Sequence, residues 1–380
     1  LFCILLSSMR TFFISVSVIS LILAFAPAKA LAFSSENMSL DEKVGQLMFV
    51  GFQGEDLDQM TASHFQSIRP GAYILFGRNI TSSLQVYKLN QQLQKVSQDF
   101  TGVPALIALD QEGGSVSRVK SNPPLPSPRA IGKTKNPELA KEFGREIGIV
   151  VRSLGFNMNL APVLDVTPAN VWDFIGNRSF GTTSENVSTT GRAFAEGLLS
   201  AGVLPTAKHF PGSGGLKQDP HFSSPESLIT KEALLGDIIS PFRNYADLFP
   251  SAMMLSHVRY PNIDPSNVPA GFSKIIANDI IRGSLSYRGL VVTDDLLMDG
   301  AKLFGKTGNA AVSALAAGAD LVMVSWSRKD QVEVFNSIKS AIADGRLSKS
   351  AIDAKVNRIL QTKKILSSQA FQKNQRVPKL

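Results

Sequence analysis

Along the chain, short apolar runs alternate with longer stretches whose apolar residues recur at helical spacing. The short runs fall at 47–52, 72–76, 105–109, 156–162, 204–210, 252–255, 290–293 and 321–325; each is rich in Val, Ile, Leu, Met or Phe and bounded by turn residues. Runs without polar alternation suit strands buried on both faces, the habit of a parallel sheet. Helical patterns lie at 137–154, with Pro137 near the start, and at 184–201, 231–246, 273–285, 308–317 and 330–343. The last pattern, 348–366, opens on Ser348 and carries Ile352, Val356, Ile359 and Leu360. Strands separated mainly by helices predict the α/β class and a closed (β/α)8 TIM-type barrel; an open doubly wound sheet is the alternative. The proline-rich stretch 122–128 reads as a loop after the third strand, so 33–380 is expected to form a single domain.

The N-terminus follows another pattern. Met9-Arg10 precedes an apolar run at 12–26, followed by Ala28, Ala30 and Ala32 at cleavage-site spacing. This predicts a secretory signal peptide over 1–32, the residues before Met9 reading as an upstream extension. The run is short for a membrane span of roughly 20 residues. Cleavage is therefore expected, with a periplasmic or secreted location and no stable membrane insertion afterwards. The only cysteine is Cys3, so the rest of the chain can form neither a disulfide nor a cysteine metal site.

With 44% hydrophobic and 18% charged residues, the chain has material for a large core and is excluded from the disordered class. The net charge of +8 is spread over scattered Lys and Arg, with no run longer than a pair such as Lys363-Lys364. A solvated basic surface, with no nucleic-acid partner, is the expected reading. A monomer is expected.

In a parallel barrel, chemistry gathers at the C-terminal ends of the strands. That rule selects Asp110, Gln111 and Glu112 after the third strand, Asp165 beyond the fourth, and Lys208 and His209 at the end of the fifth. It adds Ser256 and His257 after the sixth, Asp294 and Asp295 after the seventh, and Trp326 after the eighth. Such a set suits a hydroxyl-bearing substrate: carboxylates accept hydrogen bonds, Lys, Arg and His donate them, and an indole can stack on a sugar face. His64 falls in an expected helix and needs no function. The glycine-rich segment 211–221 ends in Asp219-Pro220-His221. A carboxylate beside an imidazole fixes the tautomer and favours the protonated ring, giving a proton donor and acceptor. A flexible surface loop with incidental charges is, from spacing alone, an equal reading. Neither a Walker ending nor a His-Glu-x-x-His pattern occurs, so no phosphate cradle, metal or cofactor is expected.

Several of these segments together resemble the family 3 glycoside hydrolases, in particular the β-N-acetylhexosaminidase branch acting on cell-wall fragments. They are Leu109-Asp110-Gln111-Glu112-Gly113-Gly114, Asn159-Leu160-Ala161-Pro162-Val163-Leu164-Asp165, Asn177-Arg178-Ser179-Phe180-Gly181, Lys208-His209-Phe210-Pro211-Gly212, Asp219-Pro220-His221, Ser256-His257-Val258 and Thr293-Asp294-Asp295-Leu296. The resemblance runs from about residue 40 to 343, and its specificity lies in the order and spacing of the motifs. It implies Asp294 as nucleophile, with Asp295 as the lesser alternative, and His221 as acid/base supported by Asp219. It also implies Asp110, Arg178, Lys208 and His209 as ligands of the terminal sugar, Glu112 and Arg118 as their support, and Met298 as a lining residue.

This chain departs from the resembled pattern inside the loop. Ser213 stands where a His is usual, Leu216 near a usual Thr, and Pro220 in place of Ser. Proline fixes one backbone angle and removes a donor, which bears on loop closure. The implied activity is retaining release of terminal β-linked N-acetylglucosamine from peptidoglycan fragments or chitin oligosaccharides. Phosphorolysis by the same residues, another family 3 β-glycosidase activity, and a non-catalytic sugar-binding role are the alternatives.

Overall fold

The computed structural model describes residues 34–169 and 173–368, so the expected signal peptide lies outside the described residues. Among the described residues ten strands occur in chain order: β1 (Met48–Val50), β2 (Ala72–Ile74), β3 (Leu106–Leu109), β4 (Gln111–Gly113), β5 (Val116–Ser117), β6 (Met158–Asn159), β7 (Leu204–Phe210), β8 (Ala252–Leu255), β9 (Leu290–Asp295) and β10 (Leu321–Val324). All but β4 and β5 close a barrel in the order β1-β10-β9-β8-β7-β6-β3-β2. The pairing is parallel throughout, with Val50 opposite Tyr73, Ala108 opposite Met158 and Leu255 opposite Thr293. The barrel closes where Met48 meets Val322. Each barrel strand coincides with one of the apolar runs, and the closed barrel prevails over the open sheet.

The reason lies in burial on two sides. Strand residues such as Leu106, Ile107, Val291 and Val322 are fully buried, whether they face the barrel interior or the helices outside. Unbroken apolar strands satisfy both faces, which polar alternation would not. The enclosing helices start where the sequence supplies caps. Asn136 Oδ1 accepts from Glu138 N (3.1 Å) ahead of the helix Pro137–Ser153, and Ser348 Oγ accepts from Ala351 N (3.2 Å) ahead of Lys349–Ser367.

Two of the differences from the sequence reading bear on the site. The stretch 231–246 is not one helix; it divides into Lys231–Ala233, a wider π turn at Leu234–Ile238, and Ser240–Tyr245. Pro241 lacks the N–H that a continuous helix would need there. A small antiparallel hairpin, β4 with β5, was not expected; it rises from the end of β3. Its turn passes through Gly113 and Gly114 at positive φ, where a Cβ on Gly113 would stand 2.6 Å from the Pro126 carbonyl. Buried Asn159 on β6 grips the hairpin, its amide exchanging two 2.9 Å hydrogen bonds with the Gln111 backbone. The hairpin thereby carries Glu112 and Arg118 over the barrel mouth.

Candidate active site

The C-terminal ends of the strands surround a cavity of about 370 Å³. Asp110, Arg178, Lys208, His209, His221 and Asp294 all line it, joined by Glu112, Arg118, Asp295 and Met298. Asp219 stands behind His221 and completes the expected set.

One wall is an ion network. Lys208 Nζ lies 2.8 Å from Asp110 Oδ1 and 2.8 Å from Glu112 Oε1. Arg178 grips Glu112 with two parallel bonds, Nε to Oε2 at 2.9 Å and Nη2 to Oε1 at 2.8 Å. Arg118 reaches the other Asp110 oxygen at 3.3 Å. Burial pushes the Glu112 carboxyl up, but Arg178 and Lys208 more than offset it and hold it at about 2. Asp110 likewise ends well below the usual carboxylate range, because Lys208 and Arg118 outweigh the same burial. Burial works against the charge on Lys208 too, yet Asp110 and Glu112 leave its pKa raised. The wall therefore stays fully ionised and presents oriented acceptors and donors, as sugar hydroxyls require.

Next to it stands His209, whose Nδ1 donates to Asp165 Oδ2 at 2.7 Å. Asp165 is fully buried and also accepts from the backbone N–H groups of His209 and Ser213. The imidazole is thus held in one tautomer.

Asp294 and Asp295 end β9. Burial raises the Asp294 carboxyl, but the nearby imidazoles of His209, His257 and His221, helped by the Asp295 N–H, bring it below the ordinary value. Asp295 behaves oppositely: burial pushes it up to about 6, despite hydrogen bonds from Ser325 and Leu297. Its oxygens accept from Leu297 N (3.1 Å), Ser325 N (3.2 Å) and Ser325 Oγ. Of the two, Asp294 gives up its proton more readily, and Asp295 is the one bound into the wall. Beneath them buried His257 donates through Nε2 to the Asp295 carbonyl at 3.1 Å, bracing the strand end.

His221 sits on the long loop after β7, and its Nδ1 donates to Asp219 Oδ1 at 2.7 Å. The same oxygen accepts the His221 backbone N–H at 2.9 Å. The loop is anchored at several points. The Pro220 carbonyl accepts from Gly300 N (3.1 Å), the Gly212 carbonyl accepts from Tyr260 Oη (2.8 Å), and Gly215 N donates to Asp173 Oδ2 (2.9 Å). At Gly214 the backbone passes so close that a Cβ would stand 1.8 Å from the Val166 carbonyl.

Comparison with known proteins follows the same outline. The model of the glycosyl hydrolase family 3 N-terminal domain matches residues 39–362. The chain belongs to glycoside hydrolase family 3. It is 33% identical over 308 residues to a beta-hexosaminidase of Idiomarina loihiensis, covering 80% of this chain and 89% of that protein. To a beta-hexosaminidase of Pseudomonas aeruginosa it is 36% identical over 274 residues, covering 71% of this chain and 80% of the relative. Among solved structures, the family 3 beta-N-acetylglucosaminidase of Paenibacillus sp. str. FPU-7 superposes with a TM-score of 0.83 at 36% identity, covering 87% of this chain and 64% of that one.

Within this family 3 barrel, the three departures of the loop find distinct places. Ser213 is buried, its N–H bound to Asp165 and its Oγ without a partner among the described residues. Leu216 packs half-buried against the core, and Pro220 is buried with its carbonyl bound to Gly300. The Asp219–His221 contact forms with the proline in place.

Sequence reading missed Arg78, Phe76 and Asp173. Arg78 lines the cavity, lies over the Phe76 ring at 4.4 Å and donates to the Ser325 carbonyl at 3.1 Å. Both residues follow β2, and the strand-end rule applied there would have found them. Asp173 ties the Arg178 turn to the glycine-rich loop, accepting from Gly176 N (2.6 Å) and Gly215 N (2.9 Å). No spacing signal marks it. Among the described residues no cluster of three or more His, Cys, Asp or Glu could hold a metal, and no helix is long and apolar enough to cross a membrane.

Proposed function

We propose that this protein is a retaining exo-β-N-acetylglucosaminidase that removes terminal N-acetylglucosamine from peptidoglycan fragments or chitin oligosaccharides. The observation that carries the reading is that Asp294, half-buried and with its carboxyl held below the ordinary value, lines one cavity together with the Asp219-supported His221. The ion network of Asp110, Lys208, Glu112 and Arg178 on the adjoining wall supplies the hydroxyl-binding site of the terminal sugar.

In the first step an Asp294 oxygen bonds to the anomeric carbon as the glycosidic C–O bond breaks. His221, protonated, delivers its Nε2 proton to the departing oxygen while its Nδ1–H stays hydrogen-bonded to the Asp219 carboxylate. In the second step Nε2 takes a proton from water, the oxygen of that water bonds to the anomeric carbon, and the Asp294 carboxylate is released. The anomeric carbon is inverted twice, so its configuration is retained. His209, locked by Asp165, and the network hold the ring while this occurs.

Most retaining enzymes place a second carboxylate where this chain has an imidazole. A histidine does not repel an anionic acceptor, so phosphate could take the place of water. Release of N-acetylglucosamine from chitobiose and from a defined muropeptide, with the product anomer followed by NMR in the presence and absence of phosphate, tests the reading. β-N-Acetylglucosamine as first product, indifferent to phosphate, is expected. A sugar 1-phosphate would make the enzyme a transferase, and binding without turnover would make it a lectin-like protein. The signal-peptide pattern supports action outside the cytoplasm on cell-wall or chitin-derived sugars, which cell fractionation checks; the expected monomer is checked by light scattering.

A further inference from the structure

Trp326 follows β10 and takes no part in the reaction described above. Its backbone neighbourhood is held firmly. Ser325 donates both its N–H (3.2 Å) and its hydroxyl to Asp295, and its carbonyl accepts from Arg78 (3.1 Å). The indole itself is 51% exposed, unusual for a large aromatic so firmly placed. Trp326 also lines two cavities at once: the catalytic one and a neighbouring groove of about 520 Å³. The groove is bordered by Leu296, Leu297, Lys302, Lys306, Thr307 and Asp330.

Position around the barrel gives the direction. Asp110 follows β3 and Lys208 lies on β7, and each of those strands is three places from β10 in the barrel order, on opposite sides. A sugar whose hydroxyls are held by Asp110 and Lys208, with its anomeric carbon at Asp294, directs its scissile bond away from the network. The wall it then meets is the one built from β9, β10 and Trp326.

We infer that Trp326 is the stacking platform for the sugar on the leaving-group side, and that the groove beyond it receives the next sugar, with Lys306 donating to its oxygens. The ligand class is a β-linked hexosaminyl oligosaccharide of three or more units. An indole presents a flat apolar face to the C–H face of a pyranose, while ammonium and hydroxyl groups suit the polar edges. The inference rests on the β-N-acetylglucosaminidase reading for the position of the scissile bond.

Calorimetric titration of the Asp294→Asn protein with N-acetylglucosamine, chitobiose and chitotriose tests it without needing turnover. Affinity is expected to rise by about threefold or more at each added sugar. In the same background Trp326→Ala should remove most of the gain from the second sugar, and Trp326→Phe should restore part of it. Lys306→Ala should weaken chitotriose alone. Monosaccharide binding reports folding and the terminal-sugar site in every variant. Equal affinity for all three sugars would overturn the inference, as would a Trp326→Ala loss as large for the monosaccharide as for the oligosaccharides. Failure of wild-type turnover would sink the enzymatic reading instead, and is read separately.

Discussion

Two His–Asp pairs in this molecule share a contact distance and little else. His209–Asp165 and His221–Asp219 both bring Nδ1 to a carboxylate oxygen at 2.7 Å. In the first pair the side chains are 10% and 0% exposed, in the second 53% and 34%. Asp165 accepts two further backbone N–H groups from β7 and the loop after it, whereas Asp219 is served from within its own loop. A dry, over-determined imidazole is a fixture that orients a substrate. A solvent-exposed imidazole on a loop can exchange its proton with water between two steps of a reaction. The pairwise geometry is equal, and the surroundings differ in the way the two proposed roles require.

The comparison can be broken or sharpened by substitution. The largest effect is expected at the group both imidazoles serve. Asp294→Asn should lower turnover of an aryl β-N-acetylglucosaminide by about 10⁴-fold or more, with thermal stability little changed. Steady-state kinetics beside a melting curve checks it, and a loss under tenfold would move the nucleophile elsewhere. His221→Ala comes next. The loss should reach ~10²–10⁴-fold for poor leaving groups and shrink towards unity for activated ones, because activated oxygens need little protonation. A uniform loss across a leaving-group series would deny His221 its acid role.

Asp165→Asn should act on the other pair and in another quantity. It leaves His209 and two backbone donors facing an amide, so stability should fall by about 3 kcal/mol in denaturant titration. Asp219→Asn, on the exposed loop, should leave stability nearly unchanged while slowing the poor-leaving-group reaction. Equal stability losses would erase the distinction between the pairs.

The smallest effect concerns Asp295, whose folded-state carboxyl is raised to about 6 by burial. A carboxyl raised above its unfolded value of about 3.9 favours folding when protonated. Its contribution is present below pH ~4 and is lost as pH climbs through about 6, an order of 2–3 kcal/mol. Asp295→Asn mimics the protonated group and should flatten the stability profile between those limits. An unchanged slope would locate the titration in another residue.

Much of the barrel was legible in the chain because parallel strands buried on both faces must be continuously apolar, and each run is short. The strand-end rule then collected Asp110, Lys208, His209 and Asp294 with no knowledge of contacts. Illegible were the features that depend on chain crossings. The β4–β5 hairpin is set by Asn159 reaching across from β6, and the π turn near Leu234–Ile238 arises where a helix meets Pro241. Arg78 escaped because its strand end was not read. Asp173 escaped because its partners, Gly176 and Gly215, both follow it, one nearby and one far along the chain, with no spacing signal to link them.

What the amino-acid order determined by itself is the alternation of apolar strand and amphipathic helix, and with it which side chains stand at the catalytic rim. Those follow from periodicity, a local property. Tertiary structure alone decided which of two adjacent aspartates ionises more readily and which of two Asp-supported histidines is sealed from water. Both depend on burial and on charges brought from distant strands, such as His209 and His257 beside Asp294 and Ser325 against Asp295. Desolvation and Coulomb attraction act through space, and sequence neighbours as alike as Asp294 and Asp295 cannot reveal them.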